Sequence, residues 1–167
     1  MEKFEKYHPI MTPHFTFDWL TTARLNHSTE LMRQVTEQPE LTTAHAAEQI
    51  SQLMLKVMRN QELTWGIFKR PDKNLVGLAS LTNLQISTKT ADLHLYLTAD
   101  TTSAELEEVL TRLVTFVFAE LEFNEAVLVS NQMTQPSQTL LNQLGFSLRE
   151  QDHNWVIDRA VSLKTSL

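Results

Sequence analysis

Cysteine is absent from this 167-residue chain, which removes disulfides, thiolate nucleophiles and cysteine-ligated metals from consideration. Glycine occurs only at Gly66, Gly77 and Gly145, so each is expected to answer a geometric need. No apolar run approaches the roughly 20 residues that span a bilayer. The opening Met-Glu-Lys-Phe-Glu-Lys lacks the apolar core of a signal peptide, and a soluble, cytoplasmic protein is the expectation. Also missing is any basic cluster interleaved with aromatics. With a net charge of -6, neither nucleic acid nor membrane is expected as a partner. His8, His14, His27, His45 and His153 show no metal-ligand spacing, so no bound metal is expected.

What is present is an ordinary globular composition, 42% hydrophobic and 20% charged, sufficient for one domain over residues 1–167. HFTFDW at 14–19 alternates Phe15, Phe17 and Trp19 with polar neighbours and predicts a strand. Thr21 or Thr22 can cap a helix through Val35, with Leu25, Leu31, Met32 and Val35 inward and Pro39 beyond its end. A second helix is predicted from near Thr43, with Ala46, Ala47, Ile50, Leu53, Met54, Val57 and Met58 at helical spacing. Strands at 63–68 and 75–81 flank Lys69-Arg-Pro-Asp-Lys-Asn74, a hairpin-loop composition.

After a polar connection at 84–90, Ala91-Asp-Leu-His-Leu-Tyr-Leu97 alternates as a strand and feeds a helix, TSAELEEVLTRLVTFVF, at 102–118. Ala126-Val-Leu-Val-Ser130 reads as a buried strand. Pro136 falls in the first turn of a helix over 137–144 that Gly145 ends, and 146–148 with 154–157 close as a hairpin. The order β-α-α-β-β-β-α-β-α-β-β implies an α/β sandwich with a mixed sheet.

Four ordered segments resemble the GNAT superfamily of acyl-CoA-dependent N-acyltransferases, most of all its ribosomal-protein N-terminal acetyltransferase (RimJ/RimL-type) branch. They are Trp65-Gly-Ile-Phe with Leu75-Val-Gly-Leu-Ala-Ser-Leu, then Glu108 to Phe118, then Glu120-Leu-Glu-Phe-Asn-Glu-Ala-Val-Leu-Val129, and last Ser137-Gln-Thr-Leu-Leu-Asn-Gln-Leu-Gly-Phe146. The resemblance implies a mostly antiparallel central sheet of roughly six to seven strands with about four flanking helices. It implies direct acetyl transfer from acetyl-CoA to a primary amine, on a small molecule or a peptide, and a possible homodimer. It makes Ser137 the candidate acid for the departing thiolate, a role compatible with simply capping the last helix. It places Leu97, Thr102, Ser103, Ala104 and Thr134 at the cofactor.

Asp92 and His94 share the polar face of the alternating strand; His94, which titrates near neutrality, is the candidate base. Alternation alone also puts polar residues on that face. Glu108 has a helix-start role through the dipole.

The chain departs from the family pattern at the pyrophosphate loop. In the family's Gln/Arg-x-x-Gly-x-Gly/Ala loop the three defined positions hold Ala99, Thr102 and Ala104, of which only Ala104 fits, and the asparagine three residues before the serine is Thr134, with Asn131 one turn earlier. Thr102-Ser-Ala-Glu105 instead fits a capping box, in which side chains take the helix's own first N–H groups. Asp100, Glu105 and Glu107 add negative charge there. A GNAT-fold module that binds or dimerises without catalysis is the alternative reading.

Overall fold

The computed structural model describes residues 3–130 and 134–161. Its strands are β1 (Ile10–Met11), β2 (Phe15–Asp18), β3 (Leu63–Lys69), β4 (Asn74–Gln85), β5 (Thr90–Leu97), β6 (Glu125–Leu128), β7 (Ser147–Arg149) and β8 (Asn154–Asp158). Its α-helices are α1 (Leu25–Val35), α2 (Thr43–Met58), α3 (Ser103–Thr115) and α4 (Gln138–Leu144), and the chain turns helical again at 159–161. One sheet takes the strands in the order β1-β2-β3-β4-β5-β6-β8-β7. β5 and β6 run parallel, whereas β1–β2, β2–β3, β6–β8 and β7–β8 are antiparallel. This is the expected mixed, mostly antiparallel α/β fold. Its eight strands exceed the six to seven expected, because two-residue β1 is too short to show any periodicity.

Contacts divide the chain into two compact units, Met1–Ser80 with Tyr96–Thr98, and Leu81–Leu95 with Ala99–Leu167. In the first unit, Leu20, Leu31, Met32, Leu41, Ala46, Ile50 and Leu78 form a buried cluster, with Val35, Leu53, Leu75 and Tyr96 packed against it. Burial of this kind is worth about 1.5–3 kcal/mol for each large apolar side chain. Trp65 is fully buried, its indole N–H donating to the Tyr7 carbonyl at 2.9 Å and its ring stacked on Trp19 at 6.4 Å.

The first helix starts later than its sequence pattern suggests. Leu20–Thr22 forms a separate 3₁₀ turn, in which the Thr22 hydroxyl donates to the Trp19 carbonyl. Leu25 is therefore the first residue of α1 and is 48% exposed rather than inward. Met58, the last residue of α2, is likewise exposed, while Thr42 caps that helix by accepting from the His45 N–H.

In the second unit α3 buries Val109, Leu110, Leu113 and Val114, then widens into a π turn, Phe116–Glu120, instead of continuing as α-helix to Phe118. Three consecutive residues of this turn, Phe116, Val117 and Phe118, are all buried. α4 begins after Ser137, so Pro136 precedes the helix rather than sitting in its first turn. It ends at Gly145, whose φ of 102° is the left-handed conformation that closes a helix.

Gly77 answers a close approach rather than a turn. A β-carbon on it would lie 2.3 Å from the Tyr96 carbonyl oxygen and 2.7 Å from Leu97 Cδ2. At Gly66 the nearest atoms are side-chain tips of Leu75, Leu20 and Phe68 at 3.0–3.1 Å, which can give way. Gly77→Ala is therefore expected to cost about 1–3 kcal/mol or more, and Gly66→Ala clearly less. Urea unfolding midpoints of the two variants check the order, and an unchanged midpoint for Gly77→Ala would refute it.

Candidate active site

β5 carries the candidate chemistry because alternation divides its side chains cleanly. Ala91, Leu93, Leu95 and Leu97 are buried, while Asp92, His94 and Tyr96 are partly exposed on the other face. Its parallel register with β6 ends at Leu93↔Leu128, and Val129 N–H still donates to the Leu93 carbonyl at 3.0 Å. β5 continues to Leu97 beyond that last pairing.

His94 Nε2 lies 2.9 Å from the Thr82 hydroxyl. Asp92 accepts from the Asn83 amide at 3.4 Å, and the Arg149 guanidinium is raised chiefly by its hydrogen bond to Asp152, with Asp92 adding to it. Asp152 itself is lowered to about 2 by Arg149.

Tyr96, two residues beyond His94 on the same face of β5, donates its hydroxyl to Gln34 Oε1 on α1. Burial, with Glu30 adding to it, raises the phenol above its ordinary value, so the group stays neutral and a donor.

At the start of α3 the capping box is present. Thr102 Oγ1 accepts from the Glu105 N–H at 3.1 Å, and Glu105 Oε1 accepts from the Thr102 N–H at 3.0 Å. Among the described residues no hydrogen bond reaches the amides of Ser103 and Ala104, and Thr102, Ser103 and Ala104 are exposed. Two donors of the helix terminus are thus open, and a third is covered by a carboxylate.

The remaining candidates lie on other elements. Ser137 is exposed and caps α4, its Oγ accepting from the Leu140 N–H at 3.1 Å. Acceptance leaves the hydroxyl proton available, so the cap does not exclude an acid role. Thr134 is partly exposed, and Asn131 lies outside the described residues. Leu97 is 4% exposed with its side chain turned toward Gly77, so its main chain is what it can offer a ligand. Only Thr102, Ser103 and Ala104 are brought together in one turn. Among the described residues no group of three or more His, Asp or Glu side chains could hold a metal, and no helix is long and apolar enough to cross a membrane.

Residues 11–147 match a family model described as Acetyltransferase (GNAT) domain. No curated protein matches the chain. Solved structures are similar in fold at low identity. One, a proposed ribosomal-protein-serine acetyltransferase from Vibrio cholerae, is 18% identical with a TM-score of 0.68, covering 90% of this chain and 97% of that one. A chimera built on spermidine N-acetyltransferase from Vibrio cholerae is 16% identical with a TM-score of 0.71, covering 90% and 98%. An apo nucleotide-linked sugar GNAT is 12% identical with a TM-score of 0.73, covering 95% and 94%.

The Ser137 cap makes a prediction separate from any chemistry. Ser137→Ala is expected to destabilise the protein by roughly 1 kcal/mol, and Ser137→Asn, which can cap as well, by a few tenths at most. Equal stability of all three proteins in urea would show that the cap contributes nothing.

Proposed function

Because the chain belongs to the GNAT acetyltransferase family, matched over residues 11–147, we propose that it transfers an acetyl group from acetyl-CoA directly to a primary amine. The observation that carries this reading is the open start of α3, with two unpaired amides at the head of a 13-residue helix. The match runs through both compact units, which supports reading residues 1–167 as one acyltransferase domain. Our narrower assignment is the ribosomal-protein N-terminal acetyltransferase branch. It is supported by the Ser137 to Phe146 signature, and the chain shares its fold with the proposed ribosomal-protein-serine acetyltransferase from Vibrio cholerae.

The residues at the start of α3 fit a pyrophosphate with one adjustment. Ser103 and Ala104 present amides and no bulky side chain, but the Glu105 carboxylate occupies the Thr102 N–H. That carboxylate has to turn away for a phosphate to take its place, and until it does it repels one. Glu105 thus acts as an internal competitor, weakening binding without forbidding it. When bound, acetyl-CoA supplies an activated thioester carbonyl. The amine nitrogen would form the new C–N bond at that carbonyl as the C–S bond breaks, with His94, oriented by Thr82, taking the amine proton. The Ser137 hydroxyl, already fixed by the Leu140 amide, would protonate the departing thiolate and regain its proton from solvent.

Thermal unfolding with acetyl-CoA tests the cofactor site. Ligand at about 100 times its dissociation constant adds about 2.7 kcal/mol, a midpoint rise of roughly 5–11 °C for a chain of this size. Glu105→Gln keeps a capping side chain and removes the charge, so it is expected to bind acetyl-CoA several-fold more tightly than the parent. No rise for either protein at millimolar ligand would overturn the cofactor assignment. With an amine acceptor, Ser137→Asn is expected to lower kcat by about 10²-fold while the protein stays folded. Unchanged turnover would remove Ser137 from the chemistry.

A further inference from the structure

Within the first unit, a cavity of about 540 Å³ opens between β2, the start of α1 and the turn that joins β3 to β4. Its size is that of a small-molecule pocket. Its lining includes the apolar Ala23, Phe68 and Leu75, two carboxylates, Asp18 and Asp72, two basic side chains, Arg24 and Lys73, and the His27 ring.

These four charges do not satisfy one another. Among the described residues no ion pair or side-chain hydrogen bond reaches Arg24, Asp72 or Lys73. Asp18 is different, because it is fixed from outside the cavity. Its Oδ1 accepts from the Trp19 N–H at 2.8 Å and lies 2.8 Å from His8 Nδ1, and the His8 ring is in turn packed on Trp19 at 4.7 Å. One carboxylate oxygen is therefore anchored while Oδ2 keeps its acceptor capacity. α1 adds to the cationic side, since Arg24 sits at its N-cap, no side chain caps it, and no acid lies in its first turn.

The balance of charge selects the occupant. A ligand of a single sign would meet as many repelling as attracting groups. A ligand bearing both signs can set its cation against Asp18 and its anion against Arg24 at the start of α1, beside the apolar lining. We propose that this cavity is a binding site for a small zwitterion, an α-amino acid or short peptide of no net charge with an apolar side chain. Its ammonium is held at Asp18, and its carboxylate at Arg24. This site is separate from the acetyl-transfer assignment and stands whether or not that assignment holds.

Three probes of one shape test it by calorimetric titration of the full chain. L-phenylalanine carries both charges, phenethylamine lacks the carboxylate, and 3-phenylpropionate lacks the ammonium. Phenylalanine is expected to bind about tenfold more tightly than either truncated probe, the worth of a charge-assisted contact. Arg24→Ala is expected to erase its advantage over phenethylamine, and Asp18→Asn its advantage over 3-phenylpropionate. Arg24 is exposed and makes no side-chain cap bond, so its variant tests the site even where Asp18→Asn loosens the fold. Equal binding of the three probes, no binding of phenylalanine at millimolar concentration, or an Arg24→Ala protein that retains the full preference would each overturn the proposal.

Discussion

The register of β5 is the constraint on which the candidate site depends. Four apolar side chains on one face, Ala91, Leu93, Leu95 and Leu97, are buried to 4% exposure or less. Sliding the strand by one position would expel all four and bury Asp92, His94 and Tyr96 in their place. Each displaced leucine forfeits about 1.5–3 kcal/mol and each buried polar group adds a desolvation cost, so no slipped register can compete. The position of the candidate base thus follows from the burial of its apolar neighbours. Gly77 reinforces the arrangement, because only a residue without a β-carbon lets β4 lie against the Tyr96 carbonyl as closely as it does.

A different physical problem is solved at the start of α3. A helix terminus must satisfy its first amides with side chains, water or ligand. Here Thr102 and Glu105 provide the side-chain solution for two of them and leave Ser103 and Ala104 open. A glycine-rich loop leaves such groups bare and is costly to order, whereas this turn is ordered by its own residues. Its rigidity and its affinity for anions are therefore opposed through one carboxylate.

The parts legible in the sequence were those with a long period or a fixed local grammar. The β5 alternation, the α2 stripe, the Thr102–Glu105 box and the Gly145 stop all involve residues close in sequence, and each is where the pattern placed it. The family followed from ordered local motifs of the same kind. Features without such a period were not legible. Two-residue β1 has none, the turn at Leu20–Thr22 imitates the first turn of the helix after it, and the π turn changes helical spacing with no special residue to mark it. Contacts between distant residues were hidden for another reason. The Tyr96–Gln34 bond spans 62 positions, and the cavity in the first unit draws its charges from three separate segments.

The tryptophans have a consequence outside chemistry. Trp19 and Trp65 lie in the first unit, nearly parallel and 6.4 Å apart, while Trp155 is partly exposed on β8 in the second. Three indoles in two such different settings give the chain its own optical labels. Emission from the sheltered pair comes from a dry environment and from Trp155 from a wetter one, and the stacked rings couple their transitions in the near ultraviolet. The two halves of the chain are thus spectroscopically distinct without any dye, and loss of order in either leaves its own colour in the fluorescence.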